Sequence, residues 1–329
     1  MGAPAGATED NVPVGWIELA QSDPNATVYA LPEYALLLSR AFSHRVFFIL
    51  VADEDNRPLA GLVLYEKNLF PWPLANLGRL HYAFAPPIFA AGTDRAIASK
   101  KLFEKINSLL SRRASVSLGV SASPIDDAKD LFDSSFAIEK QSNVVVDLMA
   151  GTETIFASFD KNVRKNIRHG AEAGLKVDEA AASDIDIYFS HYAAHHRARG
   201  LSVYPKSYFE GIYSFLAKGN GKFWIAKYKG QFAAGLAVSS FQNRLYELAI
   251  ASATAFQSLA PNDALKWRAI QYGCETNCRY FDLSNIDPNA APGSPTDGIN
   301  RFKKKWGKTV EYPRYKKTTG WLSLWRHSR

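Results

Sequence analysis

The sequence has little cysteine and no long apolar run. Cys274 and Cys278 are its two cysteines among 329 residues, too few for a disulfide framework or a structural zinc site. No stretch reaches the roughly 18 apolar residues of a transmembrane helix. The first residues lack the basic start and apolar core of a signal peptide. These features predict a protein of a reducing compartment, the cytoplasm, without a transmembrane segment.

Several motifs with known chemistry are also missing. The sequence contains no GxSxG, Walker A or GxGxxG pattern, so serine-hydrolase, P-loop and dinucleotide-binding functions have no local support. His191 and His195 stand one helical turn apart, with His196 next to them, but no glutamate follows the first histidine as in HExxH. We therefore predict no metal site and assign these histidines to a surface or half-buried helix.

The composition predicts two folded domains. Hydrophobic residues make up 47% of the chain, and 329 residues fit two domains of about 150 each. Each half shows helices, an antiparallel hairpin, a long helix and a further strand, which predicts an α+β fold. We expect a flexible N-terminus over 1–12, domains over 13–150 and 151–312, and a basic tail over 313–329.

Positive charge is concentrated near the C-terminal end of the sequence. Residues 301–329 contain ten Lys or Arg and one acid, Glu311, whereas the whole chain carries a net charge of +7. Such a cluster indicates an anionic partner, although a solvated basic tail would have the same composition. Lys303, Lys304 and Lys305 lie between two large aromatic residues, which favours a role in binding.

A second basic group is expected on a helix over 153–172. At about 100° per residue, its apolar side chains fall on one stripe and its cations on another side. The stripe consists of Phe156, Phe159, Val163 and Ile167, and the basic ridge of Lys161, Arg164, Lys165 and Arg168. The ridge is suited to phosphate or carboxylate, and a solvated helix face is the alternative.

Two further positions are candidates for chemistry. Asn262 lies at the start of a helix that follows a strand, and a helix N-terminus offers free N–H groups to an anion. Tyr246 and Glu247 are neighbours on a strand, so one of them at most faces a given cleft. A buried glutamate there would act as a base, whereas a salt-bridged glutamate and a packed tyrosine are the structural alternative.

Four segments, taken in order, resemble the FemAB-like branch of the GNAT superfamily. The first, Phe156–Leu175, is similar to the family's R(K/R)xIRxAxKxGL helix, and the second, Tyr228–Leu236, to its xGxxxAGxx hairpin. The third is Leu265–Ile270 followed by Tyr280–Ser284. The fourth, Arg301–Gly307, is similar to the FKxxFG ending. Order and spacing agree across 150–312, and the first half agrees more loosely.

The resemblance implies two tandem GNAT-like domains, each a mixed, mostly antiparallel sheet flanked by helices. It implies an N-acyltransferase that forms an amide, with aminoacyl-tRNA or acyl-CoA as donor and no permanently bound cofactor. The acceptor would be an amine of a peptidoglycan or other cell-envelope precursor, often nucleotide-linked. Partners would then be such a precursor and tRNA, not DNA, and peripheral contact with an anionic membrane is left open.

By the same resemblance, Lys303 matches the lysine of the last motif and would stabilise a carbonyl oxygen or a phosphate. Arg164 and Arg168 would hold substrate phosphate, and Glu247 or Tyr246 would accept a proton. Lys161, Lys304, Lys305 and Asn262 complete the expected substrate-binding set.

The sequence departs from the family pattern at two points. Residues 183–218 are too few for the coiled-coil hairpin of some tRNA-using members. The segment Gln257–Asn262 lacks the glycines of the usual GNAT pyrophosphate loop, and glycine is what lets phosphate approach the backbone closely. A non-catalytic protein that binds RNA or another anionic surface is the alternative function.

Overall fold

The chain forms two compact units. The computed structural model describes residues 12–71, 74–126 and 128–319. Of these, the residues up to Gln141 and from Glu311 onward make up the first unit, and Ser142–Val310 make up the second. The expected flexible segment over 1–12 lies outside the described residues except for its last position.

Within the described ranges, the first unit contains three α-helices, five complete strands and most of a sixth strand, which is given with the second unit. In chain order these elements are α1 (Trp16–Ser22), α2 (Pro32–Phe42), β1 (Arg45–Ala52), β2 (Pro58–Asn68), β3 (Arg79–Ala83), β4 (Ile88–Phe89), α3 (Arg95–Ser111) and β5 (Ser115–Ser121). Strand β1 pairs antiparallel with β2, as the turn-rich segment between them predicts. The sheet continues through β3 and β5, which run parallel.

A buried apolar cluster between this sheet and α3 holds the first unit together. Leu102 and Ile106 of α3 are completely buried, as are Leu64 of β2 and Leu118 of β5. The helical spacing of the α3 residues and the alternation along the strands put these side chains on facing surfaces. Burial of each such side chain contributes about 1.5–3 kcal/mol.

The second unit has six helices around a larger sheet. Its elements are β6 (Ala137–Asp147), α4 (Gly151–Ser158), α5 (Lys161–Glu172), β7 (Lys176–Glu179), α6 (Asp184–Ala198), α7 (Lys206–Phe215), β8 (Gly221–Tyr228), β9 (Gln231–Phe241), β10 (Arg244–Ser252), α8 (Pro261–Glu275), β11 (Tyr280–Ile286) and α9 (Pro295–Lys304). A last strand, β12 (Lys308–Thr318), follows.

The sheet of the second unit runs β6-β11-β10-β9-β8-β7. All of its pairings are antiparallel except the one between β10 and β11. Helix α8 packs on β8 and β9, and α6 packs on β9 and β10. A mixed, mostly antiparallel sheet flanked by helices is the fold class that the sequence predicts, and the structure confirms it.

One predicted helix is in fact two. The helix expected over 153–172 breaks at Phe159, whose backbone is extended (φ −70°, ψ 151°). The ring of Phe159 is buried against Trp267 and Trp306, at centroid distances of 6.0 and 5.1 Å. Anchoring of this aromatic ring in the core outweighs the local helical pattern.

The expected boundary between the second domain and the basic tail falls inside β12. Residues Arg314–Thr318 pair antiparallel with Ser117–Ser121 of β5, so they form part of the first unit's sheet. The sequence conceals this strand because two of the residues over 313–318 are lysines: Lys316 is exposed, and Lys317 lies over the Phe136 ring at 5.4 Å. Residues 320–329 of the expected tail lie outside the described part of the chain.

Candidate active site

A cavity opens where β10 and β11 separate. Their parallel pairing joins Arg244–Tyr246 to Tyr280–Asp282, and among the described residues it stops there. Both strands are irregular at this point. β10 has a bulge between Glu247 and Ala249, and β11 has a bulge between Asp282 and Asn285 in which Ser284 is left-handed (φ 62°). Bulges bend and twist a strand, so the two strands diverge.

The cavity has a volume of about 850 Å³ and lies within the second unit. One wall is the diverging part of β10, from Glu247 to Ser252. Ser284 and the last turns of α9 form another, and the start of α8 contributes Asn262. The end of α6 and the segment before α7 close the remaining side. This volume suits a substrate of drug-like size or a reacting segment of a larger one.

Lys303 is the buried cation of this cavity. It lies in the last turn of α9, is 9% exposed, and its Nζ donates to the Ser284 hydroxyl and the Asn285 carbonyl, both at 2.9 Å. An ammonium has three N–H donors, so one remains for a ligand. Burial lowers the pKa of Lys303 to about 8, although Asp282 nearby favours the charged form. Lys303 is thus positively charged at neutral pH, and its pKa of about 8 lies close to that pH.

Asp282 balances Lys303 from the neighbouring strand. Both of its carboxylate oxygens accept from the Asn143 amide nitrogen, at 2.8 and 2.9 Å, and one also accepts from the backbone N–H of Ser284 at 2.8 Å. Burial raises the pKa of Asp282 to about 6, and these hydrogen bonds and Lys303 limit the rise. The same Ser284 whose backbone bonds Asp282 presents its hydroxyl to Lys303, so the bulge positions both charges.

Glu247 lines the cavity but is already paired. It contacts the ammonium of Lys266 on α8, and the two side chains are 6% and 1% exposed. Burial, with Lys303 and Lys305 nearby, lowers the pKa of Lys266 well below its usual value, and contact with Glu247 opposes that effect. An ammonium beside a carboxylate makes the carboxylate a weaker base. This is the salt-bridged alternative considered for Glu247 in the sequence.

Tyr246 does not line the cavity. It is 8% exposed and precedes Glu247 on β10. Since successive strand residues point to opposite faces, only Glu247 of this pair reaches the site. Of the two candidate proton acceptors, the structure therefore brings Glu247 to Lys303 and leaves Tyr246 behind the strand.

The three consecutive lysines lie in three different environments. Lys305 does not line the cavity; it is bonded to the buried Asp263 at 2.6 Å and lies over the ring of Phe302 at 4.2 Å. Lys304 is exposed and is also outside the cavity lining. Only Lys303 combines burial with access to the cavity, a distinction that the run Lys303–Lys305 conceals in the sequence.

Helix α5 does not bring its basic ridge to the cavity. Arg164 donates to the carbonyls of Ala157 and Phe159 and so fastens the break between α4 and α5. Arg168 lies over the ring of Phe156 at 5.5 Å, and Lys161 is exposed. None of the three belongs to the cavity lining. The expected convergence of this ridge with Lys303 is absent from the described cavity, because Arg164 and Arg168 are engaged on their own helix pair.

Asn262 does reach the cavity. Its amide donates to the Ser252 hydroxyl at 3.4 Å, and its Oδ1 is buried without a hydrogen-bond donor among the described residues. Helix α8 begins after Ala260, which is left-handed (φ 50°), and no side chain caps its first N–H groups. Pro261 has no N–H, and the N–H groups of Asp263 and Ala264 donate to the Ala260 carbonyl at 3.0 and 3.2 Å. The N–H of Asn262 is therefore the donor that this helix start offers to an anion.

Sequence analysis missed one wall of the site. His195, His196 and Arg199 line the cavity together with Tyr192 and Tyr204. Arg199 donates to Nδ1 of His195 at 2.6 Å. Burial, Arg199 and His196 lower the pKa of His195. The signal in the sequence is the pair of adjacent histidines near the end of α6, which the sequence analysis assigns to a surface or half-buried helix. The described residues contain no metal-binding cluster.

The tautomer of His196 is fixed by its surroundings. Its Nδ1 lies 2.8 Å from the carbonyl oxygen of Ser202, and a carbonyl only accepts, so Nδ1 carries the hydrogen. In the neutral ring the lone pair is therefore on Nε2. The ring packs on Tyr192 at a centroid distance of 4.0 Å. A histidine held in this way offers a basic nitrogen of defined direction.

Comparison with known proteins supports an acyltransferase. Residues 157–304 match the family described as "Acetyltransferase (GNAT) domain". No curated protein matches the chain in sequence. None of the helices in the described ranges has the length and apolarity to cross a bilayer.

The fold is shared with several solved structures. FemX is similar at a TM-score of 0.74 and 14% identity, over 95% of this chain and 97% of FemX. The C-terminal domain of a putative lysylphosphatidylglycerol synthetase from Agrobacterium fabrum is similar at 0.58 and 14% identity, over 89% and 90%. A tandem GNAT protein from the clavulanic acid biosynthesis pathway is similar at 0.53 and 12% identity, over 97% and 98%.

These similarities confirm the resemblance seen in the sequence motifs. All residues that line the cavity lie within the segment that matches this family. Residues 157–304 thus match the GNAT acetyltransferase domain, and the chain shares its fold with FemX and with a tandem GNAT protein.

Proposed function

We propose that the protein is an N-acyltransferase that forms an amide in the cavity between β10 and β11. The donor is an aminoacyl-tRNA or an acyl-CoA, with aminoacyl-tRNA preferred, and the acceptor is an amine of a cell-envelope precursor. Both donors are made in the cytoplasm, which is where we place the reaction. The observation that carries this proposal is Lys303, a buried ammonium with one uncommitted N–H in a cavity of a GNAT-family domain.

Lys303 would stabilise the transition state of acyl transfer. When the amine attacks, the donor's carbonyl oxygen becomes negative and needs a cation or hydrogen-bond donors in fixed positions. The bonds from Lys303 to Ser284 and Asn285 hold its Nζ in place before the substrate arrives. Because the ammonium is buried, its effect on a developing oxyanion is stronger than in water.

His196 would accept the proton of the attacking amine. Glu247 is engaged by Lys266, whereas His196 presents a lone pair on Nε2 to the same cavity that contains Lys303. The new bond joins the amine nitrogen to the acyl carbon, and the bond from that carbon to the donor's oxygen or sulfur breaks. The proton taken by Nε2 then goes to the departing oxygen or sulfur, so the histidine is regenerated.

The start of α8 would hold a phosphate of the donor. Asn262 borders the cavity in the first turn, and helix starts bind phosphate through their dipole and free N–H groups. Gln257 also lines the cavity, but Ala260 and Asn262 stand where the usual GNAT loop has glycine or another small residue. This difference supports a phosphate contact that is less enclosing than ordinary acetyl-CoA binding.

The non-catalytic alternative fits these environments less well. A protein that only gripped a polyanion would use its cations in the open, as Lys304 is. Lys303 instead uses two of its N–H donors for hydrogen bonds within the protein, and the third is left for the cavity. Burial of a lysine for simple charge attraction would cost desolvation free energy without gain.

The test compares Lys303→Met with Lys304→Met. We expect Lys303→Met to lower turnover by about 10²- to 10³-fold, the usual cost of losing one oxyanion donor, and Lys304→Met to leave turnover within about twofold, as surface substitutions do. Substrates are first found by thermal shift with acyl-CoAs, charged tRNA and UDP-linked amines. Equal, salt-dependent losses of binding in both variants, with no acyl transfer by the unmodified protein, would refute the proposal.

A further inference from the structure

One end of the first unit's sheet carries an exposed apolar tip. The hairpin between β2 and β3 closes with a bond from the Leu69 N–H to the Gly78 carbonyl. Leu69, Leu74 and Leu77, here called the apolar tip, are 39%, 52% and 56% exposed. The sequence from Leu69 to Leu77 contains no charged residue. Leucines grouped in this way at a protein surface mark an interaction site more often than isolated ones do.

Five cations surround the base of the same hairpin. This basic rim consists of Arg45 at the start of β1, Lys67 near the end of β2, Arg79 at the start of β3, and Arg112 and Arg113 before β5. Arg79 donates to the Arg113 carbonyl at 2.8 Å, and Arg45 and Arg79 lie 3.9 and 3.6 Å from Glu66. These contacts join Arg45, Arg79 and Arg113 around Glu66, and Lys67 and Arg112 adjoin Glu66 and Arg113 in the sequence.

The rim has more positive charge than its own carboxylate can balance. Glu66 is buried at its centre and accepts hydrogen bonds from Arg113 and His81. Burial acts to raise the pKa of Glu66, but the bonds from Arg113 and His81 outweigh it and hold the pKa at about 2. The carboxylate therefore neutralises one cation, and Lys67 and Arg112 are exposed with their charge available.

Thr319, which directly follows strand β12, lies at the same end of the sheet. Its N–H donates to the Val116 carbonyl at 3.1 Å, and its hydroxyl to that of Ser115 at 2.9 Å, two residues after Arg113. Residues 320–329 then read Gly-Trp-Leu-Ser-Leu-Trp-Arg-His-Ser-Arg, with two tryptophans, two arginines and no acid. Trp, Leu and Arg together are typical of segments at a membrane–water interface.

We propose that this end of the first unit docks on a membrane that contains anionic phospholipid. The apolar tip enters the boundary between headgroups and acyl chains, and the basic rim contacts headgroup phosphates. Each leucine removes apolar surface from water, and each nearby cation gains from the negative surface potential. A polynucleotide would satisfy the rim, but it offers no apolar layer for the leucines.

The inference does not rest on the proposed function, because it uses other residues in the other unit. It does bear on the substrate class. A protein held at an anionic bilayer meets lipid-linked amines at a high local concentration, so docking would favour a lipid-linked acceptor over a free one.

Co-sedimentation of the full chain with vesicles tests the proposal. Vesicles of phosphatidylcholine alone are compared with vesicles in which about a third of the lipid is phosphatidylglycerol. We expect binding to the anionic vesicles that is at least about tenfold tighter, and that weakens as salt rises. The double variant Leu74→Ser/Leu77→Ser is expected to lose about another tenfold per leucine.

Ile97→Ser is the matched control. Ile97 is 58% exposed in the first turn of α3, and Arg112 follows the last turn of that helix. The helix separates the two by about 20 Å, so the control removes an equally exposed apolar side chain from the far end. Thermal melting of both variants shows that they remain folded.

Three results would overturn the inference. These are no binding to the anionic vesicles, undiminished binding by the Leu74→Ser/Leu77→Ser variant, and an equal loss in Ile97→Ser. Retained binding in Lys67→Gln/Arg112→Gln would overturn the part assigned to the basic rim. Loss of acyl transfer without loss of vesicle binding would concern the proposed function alone.

Discussion

Each unit has one parallel strand pair in its sheet, and the two pairs behave differently. In the first unit, β3 pairs with β5 along its whole length, from Arg79 to Ala83. In the second, β10 pairs with β11 only from Arg244 to Tyr246, and the strands then separate around the cavity. A parallel strand pair is thus continuous in the first unit, whereas in the second the paired strands separate and border a cavity.

The charged groups follow the same division. In the first unit Glu66, His81 and Ser115 form a buried chain of hydrogen bonds at 3.1 and 3.0 Å that links β2, β3 and β5. In the second, Lys303 lines the cavity and Asp282 lies next to the bulge of β11. The buried charges of the first unit are bonded to one another, whereas in the second Lys303 faces a cavity. The predictions below test this difference.

The largest expected effect concerns stability and lies in the first unit. Glu66→Gln should lower the free energy of unfolding by about 3–5 kcal/mol, because it leaves Arg113 and His81 without their anion. Turnover per folded molecule should be unchanged, since the cavity belongs to the second unit. Denaturant unfolding monitored with an activity assay measures both. A loss of turnover at full stability would contradict the division.

Acid should weaken the first unit through the same carboxylate. Because the folded pKa of Glu66, about 2, lies below that of an unfolded glutamate, its contribution is present above pH 4.5 and is lost as pH falls toward 2. The shift corresponds to about 3 kcal/mol. Unfolding curves of the unmodified protein and Glu66→Gln should converge across this window. Parallel curves would show that Glu66 is not the group responsible.

His196→Gln should reduce turnover by about a hundredfold, in the range for loss of a general base. The variant keeps a donor near Ser202 but loses the basic Nε2. His191→Gln is the control, because His191 stacks on Phe232 at 4.9 Å and does not line the cavity. Equal effects of the two substitutions would remove His196 from the mechanism.

The smallest effect is expected at the bulge of β10. The Tyr208 hydroxyl donates to the Leu248 carbonyl at 3.4 Å, at the position where β10 departs from regular pairing. Tyr208→Phe should cost about 1 kcal/mol of stability and raise KM more than it changes kcat, because the cavity wall is loosened. Thermal melting and steady-state kinetics decide this, and an unchanged KM would show that the bond does not shape the site.

Local patterns predicted the elements better than the site. The hairpin of β1 and β2 and the long helix α3 follow from alternation, periodicity and turn residues, and the order of motifs through Gly307 follows from the family resemblance. Gly307 is required because a side chain there would collide with the carbonyl of Val145. The break at Phe159 and the extent of β12 were missed, since both depend on packing against distant residues.

The site was predicted in part. Lys303, Glu247 and Asn262 line the cavity, whereas Lys305 is bonded to Asp263, 42 residues away in sequence. The sequence could not place His196 in the cavity wall, because that position depends on how the segment between His196 and Tyr204 folds back. A run of three lysines carries no information on which one is buried; the helical position on α9 decides it.

The central claim is that Lys303 acts as a cation in the opening between β10 and β11. The most direct test is the pH dependence of kcat for the unmodified protein and for Lys303→Arg. Turnover should fall above about pH 8 as Lys303 loses its proton, and this fall should be absent in Lys303→Arg, whose guanidinium stays charged. A profile that rises through pH 8, or one that Lys303→Arg leaves unchanged, would contradict the claim.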